Sequence, residues 1–476
     1  MKTLPALVAI LLFVNPMLRS QTPTDLAADL VLGAADFDTA GSAENTSSGI
    51  AYPLGIDIDP VSGKVFVSCY QQNRILRFAS AGALANGAAA EMVVGQTSFT
   101  HNSSGLSRST LNSPHGICVD HLGRLWVADT TNNRVLMYED AATLVNAPEA
   151  HLVLGQQDFD SANTGTGAAQ MANPTGVFVD ASDNLWVCDN SNHRVLKFAS
   201  VSTLSTGAAA SVVIGQSGFG LGGNSTAVNR LSYPADVLVD EEDHLWIADQ
   251  SNHRVLRFDG AGTLASGASA AIVLGQVNFT SNSPGTTATT MRIPSSLAMQ
   301  SDGSLWVADQ LNSRVLFFLD AASKSTGGAA DGVVGQSDLN TGKPGLSSKR
   351  MNQPSHGIAF DLEGRLWVSD TQNNRVLRFP TVPMPPSDVT PPLLSVNKVP
   401  KTTKKSSLKI SGTSSDDSAV ADVKYRVGKG AYTRAAGTTS WSFKARLKPG
   451  KNKIQLYATD TAGNASPAKT LSVARK

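Results

Sequence analysis

The sequence predicts an all-β protein, a six-bladed β-propeller followed by a second, smaller all-β domain. Three observations carry that prediction. An arginine recurs at 74, 134, 194, 254, 314 and 375, a period of 60 residues, once 61. A glycine in a V-[VLI]-G-Q context or a relative of it recurs at 33, 95, 155, 215, 275 and 335, and a proline at 53, 114, 174, 234, 294 and 354. Beyond Phe379 the composition changes abruptly, through PTVPMPPSDVTPP, to a basic segment. Fixed-period self-similarity of this length marks a solenoid or a propeller.

Each repeat supplies four strand candidates. In the second these are Gly116–Asp120, Leu125–Ala128, Arg134–Tyr138 and Leu152–Leu154, short β-branched runs bounded by Gly, Asn, Asp and Pro. Four strands make one blade, which must stack on neighbours to bury both faces. The first V-L-G run precedes the first proline, and the last repeat ends after three strands. The blade count closes only if Leu30–Gly33 completes the last blade.

The core motif reads LWVADTTNNRVLMY at 125–138, with close copies from Leu185, Leu245, Leu305 and Leu366 and a weaker one from Val65. An Asp opening a turn accepts backbone N–H bonds, and Asn tolerates the left-handed conformation. Asp129, Asp189, Asp249, Asp309 and Asp370 are therefore read as turn cement, with Arg134, Arg194, Arg254, Arg314 and Arg375 as partners. The recurring Trp is read as core. Loops of about 17 residues run from Gly-Gln to the next proline, and an apolar residue (Ile50, Leu111, Met171, Leu231, Met291, Met351) is expected to plug each into its blade. These loops and the Asp–Arg turns share the face around the channel mouth, so Asp129 and the five arginines are also ligand-face candidates.

The pattern Pro-x-Gly-Ile-x-Val-Asp, Gly-x-Leu-Trp-Val-Ala-Asp, Asn-x-Arg-Val-Leu-x-Phe resembles the NHL repeat over residues 27–380. The resemblance implies a β-propeller, commonly six-bladed. Cys69 departs from it by standing where other copies hold Asp. The amidating lyases, a related propeller group, carry Pro-His motifs whose histidines bind zinc. Here His115 follows Pro114 directly and His356 follows Pro354 one residue late; the other blades hold Leu54, Thr175, Ala235 and Ser295. Asp236 is the conceivable third ligand to His115 and His356, since catalytic zinc takes three protein ligands. The position of the lyases' catalytic Tyr, two after the repeat's Asp, holds Thr131, Ser191, Ser251, Leu311 and Gln372. The expectation is therefore a non-catalytic binding or scaffold protein for a protein, peptide or glycan, with no cofactor. A zinc- or calcium-dependent lyase or hydrolase at the channel mouth is the alternative.

Lys2 and the apolar stretch Leu4–Val14 read as a signal peptide ending near residue 20, too short to span a bilayer, so export is expected. The three cysteines, Cys69, Cys118 and Cys188, are read as buried thiols. Residues 21–386 hold 20 Lys+Arg against 33 Asp+Glu, a balance of −13, so the propeller is a poor partner for nucleic acid. Residues 387–476 hold 17 against 5, a balance of +12, which suits an anionic envelope surface. A Pro-rich linker at 381–392 precedes five alternating strands that resemble bacterial Ig-like modules, an Ig-like sandwich over 393–476. Asp416, Asp417, Asp460 and Asn464 are read as turn residues, with calcium binding as the alternative.

Overall fold

The computed structural model describes residues 26–381, 390–416, 420–460 and 464–476. The expected signal peptide and most of the expected linker lie outside the described residues. The chain divides into two compact units, Met1–Pro383 and Met384–Lys476.

The first unit holds six four-stranded antiparallel sheets. Blade 2 is typical, with Pro114–Val119 innermost, then Leu125–Asp129, Arg134–Tyr138 and Leu152–Leu154. Blade 6 takes Ile358–Phe360, Leu366–Asp370 and Arg375–Phe379 from the end of the unit and Leu30–Leu32 from its start. Val31 pairs with Leu377, and Asp29 receives the Arg378 Nε–H at 2.8 Å. The strand exchange read from the marker order is the one observed.

The repeat motif builds the turns of blades 2 to 6 the same way. Asp129 is fully buried; its Oδ1 accepts the Asn112 N–H at 2.7 Å, and its Oδ2 accepts from Asn132 Nδ2 at 2.8 Å and Arg134 Nε at 2.7 Å. The remaining Arg134 donors reach the carbonyls of Ser107 and Thr110 in the preceding loop and Phe159 in the following one. One guanidinium thus ties two loops to one turn, and loops lacking secondary structure are held by side-chain donors. Asn133, at φ 53°, accepts the Asn173 N–H of the next blade at 2.9 Å. His193 and His253 fill that slot in blades 3 and 4, where Nδ1 accepts the N–H of Tyr233 and Ile293. They are inter-blade connectors.

The loop plugs are buried as expected. The glycine of the V-x-G-Q marker is what admits them. Gly335 sits at φ +87°, and a Cβ there would lie 2.3 Å from the Met351 methyl carbon. The tryptophans fill the spaces between blades, and Trp126, Trp186, Trp246 and Trp367 each donate Nε1–H to an aspartate, Asp120 for Trp126 at 2.8 Å. All three cysteines are buried free thiols.

Blade 1 differs. With Cys69 in the aspartate's place, the fully buried Arg74 has no carboxylate, and its Nε has no hydrogen-bond partner. Gln72, standing where other blades hold Asn, takes the Ala51 N–H on its own Oε1 at 3.1 Å. Desolvation pushes the Cys69 thiol up to about 11 and lowers the Arg74 guanidinium.

The second unit has two sheets around one core. Leu393–Val396, Ser407–Ser415 and Ser440–Arg446 form the smaller. Thr402–Thr403, Lys469–Arg475, Gly450–Asp460, Val420–Val427 and Thr433–Arg434 form the larger, in that order. Trp441 and Phe443 from one sheet pack with Val423, Ile454 and Val473 from the other. Asp460 accepts the Asn464 N–H and Nδ2–H, at 2.8 and 3.0 Å, and Asp417 lies outside the described residues.

Candidate functional site

The six inner strands line a central cavity of about 620 Å³. Its wall is mostly apolar, with Phe178, Leu238 and Met299 among the contributors. His356 lies on the lining; so do the carboxylic acids Asp57 and Asp236. Inner strands begin at the prolines, beside the Asp–Arg turns, and this end of the channel is tight. Thr371 and Ser369 of blade 6 donate hydroxyl hydrogens to the Pro53 and Leu54 carbonyls of blade 1 at 2.8 and 2.7 Å. A Cβ on Gly116 would lie 2.4 Å from the Thr175 carbonyl oxygen, so the neighbouring inner strands leave no room for a side chain there.

His115 and His356 meet at this end. Their ring centroids are 5.1 Å apart with planes at 69°. Blade 6 achieves this with one additional residue between Pro354 and Ile358. Ser355 occupies the buried slot after the proline, and His356 follows at φ 54°. The same residue accounts for the single 61-residue spacing of the arginines. Tyr70, in the 3₁₀ turn of blade 1, sets its ring edge-on to His115 with centroids 5.1 Å apart, and Tyr52 lies 5.8 Å beyond it. His115 Nδ1 is buried with no hydrogen-bond partner.

Burial favours the neutral form of both imidazoles. Desolvation lowers His115 well below the ordinary histidine range, with the neighbouring His356 adding to it, and lowers His356 to about 4. At neutral pH both rings are uncharged, each with one nitrogen free to accept a proton. The Asp57 carboxyl is raised to about 7 and Asp236 to about 6, both chiefly by desolvation.

The sequence candidates fall into two groups. His115 and His356 come together; Asp236 does not join them as a ligand. Its carboxylate accepts the Val237 and Leu297 N–H groups at 2.9 and 2.8 Å and the Ser296 hydroxyl at 2.9 Å. Among the described residues no three His, Cys, Asp or Glu side chains converge as metal ligands. The mouth therefore offers two imidazoles, one short of a three-ligand zinc centre. Asp129, Arg134, Arg194, Arg254, Arg314 and Arg375 are fully buried and spent on the turns and loops, which removes them from the ligand face. Tyr70 and Asp57 were missed. Tyr70 follows Cys69 by one residue, not two, and Asp57 is hidden in an apolar strand run.

Six four-stranded blades, five of them with the buried Asp-Asn-Arg turn, define an NHL-repeat propeller. The teneurin NHL domain model matches residues 44–317, more than half of the chain, and the chain belongs to that family. A probable peptidyl-alpha-hydroxyglycine alpha-amidating lyase from Caenorhabditis elegans is 24% identical over 303 residues, covering 56% of this chain and 79% of the relative. Among solved structures, virginiamycin B lyase from Staphylococcus aureus is 12% identical with a TM-score of 0.41, covering 74% of this chain and 98% of that one. A gluconolactonase from Xanthomonas campestris is 14% identical with a TM-score of 0.42, covering 76% and 99%. The expectation of a non-catalytic protein is corrected by the first of these relatives, which is named as an enzyme.

Proposed function

We propose that the chain is a propeller lyase or hydrolase whose site is the channel mouth at His115, His356 and Tyr70. The observation that carries this reading is the buried, unpartnered Nδ1 of His115, in a ring edge-on to both a second neutral imidazole and a phenol. A neutral imidazole has a free lone pair for the proton of a bound hydroxyl, and a depressed pKa makes the imidazolium a strong donor that passes the proton on rather than holding it. His356, on the cavity lining, receives that proton; Tyr70 packs its ring edge-on against His115. The name of the lyase relative supports a substrate in which a carbon bears both a hydroxyl and an amide nitrogen. For such a substrate, transfer of the O–H proton to His356 drives cleavage of the C–N bond, forming a carbonyl, and the His356 imidazolium returns the same proton to the departing nitrogen. The reading includes export, supported by Lys2 and the apolar Leu4–Val14 stretch.

The test is turnover of a peptidyl-α-hydroxyglycine and an aliphatic lactone by the purified full chain, wild type against Tyr70→Phe and Tyr70→Ala. The wild type should convert at least one. Tyr70→Phe, which keeps the ring against His115, should retain most of the rate, and Tyr70→Ala should lose it. Wild-type inactivity on both substrates contradicts the proposal.

A further inference from the structure

The second unit carries a surface whose chemistry the propeller reading leaves unused. Directly paired residues of adjacent strands share a face of the sheet. In the larger sheet Arg434 pairs with Lys424 and Lys424 with Tyr457. Arg426 pairs with Gln455, and Gln455 with Thr470. Lys453 pairs with Ser472, and Lys451 with Ala474. Their strand neighbours Val423, Ile454, Leu456 and Val473 point into the core. The outward face thus carries five cations: Arg434, Lys424, Arg426, Lys453 and Lys451. The acid on this face among the described residues is Asp422, 7% exposed and already held by Arg434 at 3.0 Å and Lys424 at 3.6 Å. Its charge is spent, and the face presents net positive charge to solvent.

We propose that this face binds an acidic polysaccharide. Hydroxyl and amide groups of Thr470, Ser472, Gln455 and Tyr457 stand between the cations, a mixture that suits sugar hydroxyls alternating with carboxylates. Nucleic acid is the poorer fit. Single-strand binders offer free aromatic faces for bases to stack on. Here the Arg426 guanidinium covers the Tyr432 ring at 4.6 Å, and Tyr432 lies edge-on to Tyr457 at 4.9 Å.

The experiment measures binding of an alginate oligosaccharide, a polyuronate, to the full chain. Neutral dextran and a single-stranded oligodeoxynucleotide of equal charge are the comparison probes. The variant Lys451→Gln/Lys453→Gln removes two exposed cations from the proposed face; Arg434→Gln serves if that variant misfolds. Lys409→Gln/Lys444→Gln removes an exposed cross-strand pair from the smaller sheet. The Lys451/Lys453 variant should weaken alginate binding about twenty-five-fold, at roughly fivefold per lysine, while the Lys409/Lys444 variant stays within twofold. The proposal is overturned if both pairs weaken binding equally, if the oligonucleotide binds tighter than alginate, or if alginate binds no better than dextran.

Discussion

His115 and His356 stand edge to face, 5.1 Å between ring centroids, because blade 6 spends one additional residue to turn His356 inward. Two imidazoles this close are not both protonated without mutual repulsion, and their burial disfavours even one charge. The folded chain holds His356 neutral down to about pH 4, whereas the unfolded chain takes up that proton near 6.5. The stabilisation this group contributes is complete above pH 6.5 and is lost as pH falls through about 4. The measurement is the side-chain ¹⁵N spectrum of His356 across pH 3–8. A midpoint below 5 is expected, and one near 6.5 contradicts the burial argument.

The acids in the channel behave in the opposite sense. Asp57 titrates at about 7 and Asp236 at about 6 in the folded chain, both above the ordinary carboxyl value of 3.8. A folded pKa above the unfolded one gives a contribution that is full below 3.8 and lost as pH rises through about 6 to 7. Carboxyl ¹³C shifts should show these two midpoints. Midpoints near 4 would mean that water reaches both groups freely.

Cys69 leaves Arg74 as a buried guanidinium without an acid. Cys69→Asp restores the partner that Arg134 finds in Asp129, and a hydrogen bond to a charged group contributes about 1.5–3 kcal/mol. The denaturant midpoint should rise. A fall would show that blade 1 has repacked around the thiol and Gln72 too closely to accept a carboxylate.

Arg134 gives the converse. It is fully buried on Asp129 and three loop carbonyls. Arg134→Ala strands a buried carboxylate, which costs about 3–5 kcal/mol. Equilibrium unfolding measures this; a loss below 1 kcal/mol would return Arg134 to the ligand-binding candidates.

Ring closure rests on three residues. A chain shortened to begin after Gly33 lacks Leu30–Leu32, leaving Arg375–Phe379 as an open edge and baring the buried faces of blades 1 and 6. It should unfold at markedly lower denaturant and self-associate. Unfolding at the full chain's midpoint would show that the ring does not depend on this strand.

The fold was legible because each structural device repeats. Asp129–Arg134 and Gly335–Met351 are copied from blade to blade, and periodicity makes such devices visible in a single sequence. The mouth was only half legible because it is built where the repeat breaks. His356 reads as a misplaced match until the extra residue before Ile358 is seen to carry it round a left-handed position. Tyr70 occupies the turn of the one blade whose aspartate is missing, and its approach to His115 depends on two blades packing side by side. Asp57 looks like an interruption of an apolar strand, and only the ring shows that it faces the channel.

The most direct test of the account is the turnover of His115→Ala and His356→Ala on whichever substrate the wild type accepts, with Lys409→Gln, an exposed residue of the second unit, as the folded control. The account predicts a loss of about 10²–10⁴-fold for each histidine variant, the usual contribution of a positioned acid–base group, with unfolding midpoints close to wild type. Rates within twofold of wild type for both histidine variants would place the chemistry elsewhere.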